Sequence, residues 1–212
     1  MIKITFMGAG STVFLRNVLG DCIYTDALKG MEIALYDIDG QRLEQSAAIL
    51  EAINKGNGCP ASIRSYLGAE NRRKALSGAD FVINAIQVGG YDPCTITDFE
   101  IPKKYGLRQT IGDTLGIGGI MRALRTIPVL EDFARDMEAV CPNAWFLNYT
   151  NPMSMLTGYM LRYTGVKTLG LCHSVQTCSK TLMDAIGMSD RLEGRRELIA
   201  GINHMGWLLD IR

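Results

Sequence analysis

Residues 2–12 read "IKITFMGAGST", and the fold follows from how this stretch is read. Ile2 to Gly8 is a run of apolar and β-branched residues closed by glycine, the pattern of a strand buried on both faces. "MGAG" (7–10) is then a turn, and "STVFLRNVLGDCI" (11–23) is the helix it feeds. Strand, glycine turn and helix in that order make a phosphate-binding corner. Gly8 permits the tight turn, Gly10 lets backbone approach a pyrophosphate, and Ser11 and Thr12 can cap the helix or donate to phosphate. The third glycine of G-x-G-x-x-G is Val13 here, so context must carry the assignment.

The next strand supplies that context. "MEIALYDID" (31–39) ends in Asp37, an acid placed to accept from ribose hydroxyls and to repel a 2′-phosphate, which favours NAD over NADP. Asp39 is its rival for that role, and a glycine turn without a ligand is the alternative for the whole corner. Further along, "QRLEQSAAILEAINKG" (41–56) reads as an amphipathic helix, "ASIRSYLG" (61–68) as a short third strand and "ADFVINAIQVGG" (79–90) as a fourth. "GGIMRALRTIPVLEDFARDMEAV" (118–140) places Ile120, Leu124, Ile127, Leu130, Ala134 and Met137 at helical spacing, with a kink expected at Pro128. "AWFLNYTNP" (144–152) and "VKTLGLC" (166–172) are the fifth and sixth strands. Such alternation predicts an α/β fold: a Rossmann-like, mainly parallel sheet with helices on both faces, of the lactate/malate dehydrogenase kind. Residues 91–119 break the regularity, and long irregular segments in such folds are often functional.

Composition narrows the partners. The 212 residues are 47% apolar and carry equal numbers of acidic and basic side chains. Zero net charge leaves no electrostatic footprint for nucleic acid or an anionic membrane. No apolar run reaches the ~20 residues of a membrane helix, and the first residues enter a strand with no cleavage site for a signal peptide. Six cysteines without C-x-x-C spacing argue against a disulfide framework or structural zinc and fit a reducing cytoplasm.

Only two histidines occur, in "GLCHSVQ" (170–176) and "GINHMGW" (201–207). Cys172 follows the sixth strand, at the carboxyl edge where open α/β sheets bind ligands. Cys172 and His204 make a plausible pair of ligands for a divalent transition metal, with substrate oxygens and water completing the shell. The alternative is a core cysteine and a hydrogen-bonded structural histidine. Asn148 and Asn151, in "NYTNP", end the fifth strand where amides can hold a cofactor ribose and a substrate hydroxyl. Asp113, in "TIGDTLGIGG", brings a carboxylate into the irregular stretch, and Gly116, Gly118 and Gly119 bring backbone close to something.

Taken together, "FMGAGST", "ALYDID", "GGYDPCTITDFEI", "DTLGIGGIMRALRTIP", "NYTNPM", "GLCHSVQ" and "GINHMGW" resemble the family 4 glycoside hydrolases, and within them the alpha-galactosidase branch. The resemblance spans the whole chain and implies hydrolysis of unphosphorylated alpha-galactosides by redox chemistry. NAD takes a hydride from C3 of the sugar, a divalent ion, typically Mn, stabilises the enolate formed at C2, the aglycone leaves, water adds and the hydride returns. It further implies Cys172 and His204 as metal ligands, Asn151 on the sugar hydroxyls, and Gly8, Gly10, Ser11, Thr12, Asp37 and Asn148 on NAD. Asp113 is implied as an acid near the active site. His173 stands where the family places the acid that protonates the leaving oxygen, a task an imidazole can perform near neutral pH; the alternative is that it orients substrate. Members of the family are about twice this length, so the resemblance implies an NAD-binding domain over 1–172 and, over 173–212, the start of a truncated α+β substrate domain. The C2 base and much of a homo-oligomer interface (dimer or tetramer) would lie beyond Arg212, and the 212 residues alone would bind NAD without glycosidase activity. Two other readings stand beside this one: an NAD-dependent 2-hydroxy-acid dehydrogenase of the lactate/malate type, and an inactive NAD-binding remnant.

Overall fold

In the computed structural model, which describes residues 1–212 save the side chains of Val175 and Gln176, six parallel strands form one sheet. They are Lys3–Met7 (β1), Glu32–Asp37 (β2), Ser62–Leu67 (β3), Phe81–Asn84 (β4), Trp145–Asn148 (β5) and Lys167–Gly170 (β6), in the order β3-β2-β1-β4-β5-β6. The order reverses between β1 and β4, and a crevice opens at such a switch point above the carboxyl ends of the strands. The sheet is Rossmann-like, as the alternation of elements predicts.

Both faces are covered. Thr12–Tyr24 (α1) and Gly40–Gly56 (α2) bury Leu15, Leu19, Leu43 and Leu50 against Ile4, Phe6, Ile33 and Leu35. On the other face Arg72–Leu76 (α3), Gly116–Val140 (α5) and Met153–Tyr163 (α6) pack Leu76, Leu130, Phe133, Met137, Leu156 and Met160 against Val82 and Phe146. Successive residues Val82 and Ile83 of β4 serve opposite cores, which is why the inner strands read as unbroken apolar runs.

Several elements differ from the sequence expectation. β4 stops at Asn84, and Ala85 to Gln87 leave the sheet to wall the crevice. The irregular stretch contains a wide turn at Gly90–Thr95 and a helix, Ile96–Lys104 (α4). α5 runs as one helix through Pro128. Of its apolar series, Leu130, Ala134 and Met137 are buried, whereas Ile120 and Leu124 are exposed; the first half of α5 packs through Gly118, Gly119, Arg122 and Thr126 instead. After β6 come Ser174–Ala185 (α7) and an antiparallel hairpin, Glu197–Ile202 (β7) with Met205–Ile211 (β8), which forms a separate sheet. No helix is long and apolar enough to cross a membrane among the described residues.

One ion cluster ties α3 to α5. Asp136 accepts from Arg72 Nε at 2.6 Å and from Arg73 Nε at 2.7 Å, its side chain 9% exposed. Burial pushes the Asp136 carboxyl up, but the hydrogen bonds from Arg73 and Arg72 outweigh it and hold it below the usual carboxylate range. Removing one member of a buried cluster leaves the others uncompensated. Asp136→Asn is therefore expected to lower stability by about 3 kcal/mol in urea unfolding at pH 7. A carboxyl lowered by folding contributes fully above its unfolded value near ~4, and the contribution is lost as pH falls through the lower folded value. The gap between wild type and Asp136→Asn should accordingly close in that acid range.

Candidate functional site

The phosphate corner is built as its glycines require. Gly8 has φ +86°, and a Cβ there would lie 2.8 Å from the backbone of Ala85 and Ile86. The Gly8 and Ala9 N–H groups both donate to the Tyr36 carbonyl, at 3.0 and 2.9 Å. Gly10 N–H donates to Asp37 Oδ2 at 2.5 Å, while Asp37 Oδ1 accepts from the N–H groups of Ile38 and Asp39. Asp37 is thus held at the lip of the turn by three backbone donors. Asp39, its rival, caps α2 by accepting from Arg42 N–H at 3.1 Å.

The two hydroxyls of the corner divide. Ser11 lines the crevice and makes no side-chain cap to α1. Thr12 turns the other way and pairs with Ser46 Oγ at 3.0 Å; its hydroxyl joins α1 to α2 rather than facing a phosphate, a correction to the expectation.

Above the strand ends lies a cavity of about 270 Å³. Ser11 and Phe14 wall it after β1, Ala85 to Gln87 after β4, Tyr149 to Asn151 after β5, and Leu171 to His173 after β6. Arg122 of α5 and Asn203 and His204 of the hairpin close it. Cys172, His173, Asn151 and His204, scattered over the sequence, therefore meet in one space beside the glycine turn.

Asn148 is not part of that wall. It is fully buried: its Oδ1 accepts from Asn84 Nδ2 at 2.9 Å and from Thr150 N–H at 3.1 Å, and its Nδ2 donates to the Thr150 carbonyl and Thr157 Oγ1, both at 3.2 Å. Asn84 Nδ2 also donates to Thr150 Oγ1, and Thr150 Oγ1 to the Ile86 carbonyl. The expectation that Asn148 holds a cofactor directly is corrected: its amide is spent fixing the loops after β4 and β5 from beneath. Asn151 remains at the surface of the cavity, with its Oδ1 accepting from Met153 N–H at 3.3 Å.

Cys172 and His204 each border two spaces. Both also line a larger, more apolar cavity of about 610 Å³ between α7 and the hairpin. Cys172 Sγ accepts from Ser174 N–H at 3.4 Å and lies 3.2 Å from its Oγ. His204 sits in the two-residue turn between β7 and β8 at φ +63°, a region a non-glycine residue rarely occupies. Its Nδ1 lies 2.8 Å from Thr114 Oγ1. His173 stands edge-on to Phe14 with centroids 5.8 Å apart, and tilted over Tyr149 at 5.6 Å. Among the described residues no three His, Cys, Asp or Glu side chains gather as a metal cluster.

Two participants escaped the sequence reading. Arg122 is 8% exposed and pairs with Asp113 Oδ2 at 2.9 Å. Burial draws its guanidinium below the ordinary value, and Asp113 opposes that pull. Arg122 and Gln87 separate the cavity from a neighbouring one of about 550 Å³ that also reaches Asp113, Tyr91 and Phe99. The carboxylate of Asp113 is thus matched to a cation. Thr114, the second, is buried beside it. The glycines of this region approach the chain itself: a Cβ on Gly118 would overlap the Gly112 carbonyl, and one on Gly119 would lie 2.7 Å from Thr114 C.

Comparison with known proteins gives a consistent pattern. The description of family 4 glycosyl hydrolases matches residues 3–188. An alpha-galactosidase of Bacillus subtilis is 62% identical over 212 residues, covering 100% of this chain and 48% of the relative. The crystal structure of the lplD protein of Bacillus subtilis superimposes with a TM-score of 0.87 at 32% identity, over 100% of this chain and 48% of that one. A 6-phospho-alpha-glucosidase from gut microorganisms, solved in complex with NAD and Mn2+, shares the fold with a TM-score of 0.86 at 20% identity, over 99% and 47%. The chain spans about half the length of the curated relatives it matches.

Proposed function

The chain belongs to the family 4 glycosyl hydrolases, and from that premise we propose that it forms the NAD- and metal-binding part of an enzyme hydrolysing unphosphorylated alpha-galactosides by redox-assisted elimination and addition. One observation carries the reading: Asn151, Cys172, His173 and His204 share a single cavity with Ser11 of the glycine turn. The 62% identity to an alpha-galactosidase supports the choice of sugar.

The residues suit both groups. Ser11 presents its side chain to the cavity at the N-terminus of α1, where a pyrophosphate is favoured, and Asp37 stands at the lip of the glycine turn as a carboxylate for a ribose. A sulfur and an imidazole alone leave open coordination positions for sugar oxygens and water, which suit a cation such as Mn2+. When bound, the dinucleotide supplies a hydride acceptor and the cation a Lewis acid.

The remaining work falls to side chains of this chain. Asn151 keeps its Nδ2 for a sugar hydroxyl, since its Oδ1 is taken by Met153. His173, packed against Phe14 and Tyr149, protonates the leaving oxygen. Arg122, its charge balanced by Asp113, orients substrate oxygens at the mouth of the second cavity. Ser11 meets the pyrophosphate and Asp37 the ribose. Residues 1–172 form the nucleotide domain, and 173–212 begin the substrate domain. All six cysteines are unpaired, which suits a reducing cytoplasm, and the working form is a homo-oligomer.

The test is an assay of the whole enzyme, of which this chain is proposed to form the NAD- and metal-binding part, with p-nitrophenyl alpha-galactoside and alpha-galacturonide, with NAD and Mn2+ supplied or withheld. Galactoside cleavage that needs both additions and stops on chelation is the expected result. Cleavage indifferent to chelation, or turnover of a 2-hydroxy acid in place of any glycoside, would overturn the proposal.

A further inference from the structure

We infer that Thr114 is a positioning residue for His204: its hydroxyl oxygen accepts the Nδ1 proton, fixing the imidazole in the tautomer that leaves Nε2 unprotonated for a cation. The inference rests on the metal reading above and extends it to a residue that neither touches substrate nor ligates.

Three observations converge on it. The Thr114 Oγ1 to His204 Nδ1 distance of 2.8 Å is the one side-chain hydrogen bond described between the hairpin and the irregular stretch, 90 residues apart in sequence. Thr114 itself is 4% exposed and immobilised from several sides. Its N–H donates to the Ile111 carbonyl at 3.0 Å, Gly119 admits its backbone against α5, and the preceding Asp113 is anchored to Arg122. His204 is held at φ +63° in a two-residue turn, a conformation that a non-glycine residue keeps only where surrounding structure enforces it. A rigid partner and a strained ring carrier are what aims a side chain at a fixed point.

The chemistry decides the direction of the bond. An imidazole carries one proton when neutral, so one nitrogen donates and the other accepts. Histidines that bind metals through one nitrogen give the other N–H to a second group, and losing that group costs ~10–100-fold in metal affinity. A threonine hydroxyl can serve because its oxygen accepts while its own proton rotates elsewhere. Valine has the same shape as threonine without the acceptor, and serine keeps it.

The 212-residue chain, Thr114→Val, Thr114→Ser and His204→Ala are compared by two readouts. Because the chain has only two histidines, long-range ¹H–¹⁵N NMR of the metal-free protein reads both tautomers directly. His204 is expected to carry its proton on Nδ1 in wild type and Thr114→Ser, and to lose that preference in Thr114→Val. Mn2+ titration followed by electron paramagnetic resonance should show Thr114→Val ~10–100-fold weaker than wild type, Thr114→Ser within ~3-fold, and NAD affinity unchanged throughout. An Nε2–H tautomer in wild type, or wild-type Mn2+ affinity in Thr114→Val while His204→Ala binds none, would overturn the inference and leave the metal reading standing. Undiminished Mn2+ binding by His204→Ala would overturn both.

Discussion

Chains carrying Cys172→Ala or His204→Ala are expected to bind Mn2+ at least about a hundredfold more weakly than wild type, and to lose galactoside cleavage where the whole protein is assayed. The size of the effect follows from the donor set. Cys172 and His204 are the two donors proposed, and no group of three acid, cysteine or histidine side chains able to hold a metal stands among the described residues to replace either. The two substitutions should also fail to add: once one donor is gone, removing the other should change little, because they act on one ion. NAD binding, measured by the rise in unfolding temperature at saturating dinucleotide, should survive both changes. Either variant retaining wild-type Mn2+ affinity would remove Cys172 or His204 from the site.

Gly8→Val should have the largest effect on the fold. The substituted residue would have to adopt φ +86° with its Cβ 2.8 Å from the Ala85 carbonyl. Positive φ on a β-branched residue and a clash with backbone in the switch-point loop together cost about 2–5 kcal/mol. Urea unfolding should show that loss, and NAD should give no thermal shift. Gly10→Ala is milder by comparison. Its added Cβ meets the Asp37 side chain and Arg42 Cβ, not backbone, so accommodating it costs the Gly10–Asp37 bond and about 1 kcal/mol, and the chain should fold but bind NAD weakly. Equal destabilisation by both changes would mean that the turn is not built around the close approach of Gly8 to Ala85.

What could be read from the sequence was what local pattern encodes. β1, the glycine turn and the acid ending β2 are neighbours in the chain or in adjacent strands, and their roles depend on backbone conformation that glycine and carboxylate announce. Cys172, Asn151 and His173 were placed because they directly follow strands. Asn148 shows the limit: at a strand end, one residue of register separates a side chain facing the crevice from one buried beneath it, and β5 buries Asn148. Arg122 carried a usable signal that was missed. It lies four residues before Thr126 and eight before Leu130, on the buried stripe of α5, so an arginine interrupting a core stripe marks a paired or functional charge. The apolar series through Ile120 and Leu124 pointed to a neighbouring stripe, which the first half of α5 leaves exposed. Thr114 offered no signal in sequence at all. Its partner is 90 residues distant, and only the folded hairpin brings the two together.

The amides and hydroxyl beneath the crevice have a mechanical consequence. Asn84, Asn148 and Thr150 bond to one another and to Ile86, so the segments leaving β4 and β5 are bolted into a single slab. Neither can shift without breaking buried polar contacts that water cannot replace. The slab is a fixed floor, so Ile86 and Thr150 hold their places in the cavity wall whatever binds above them.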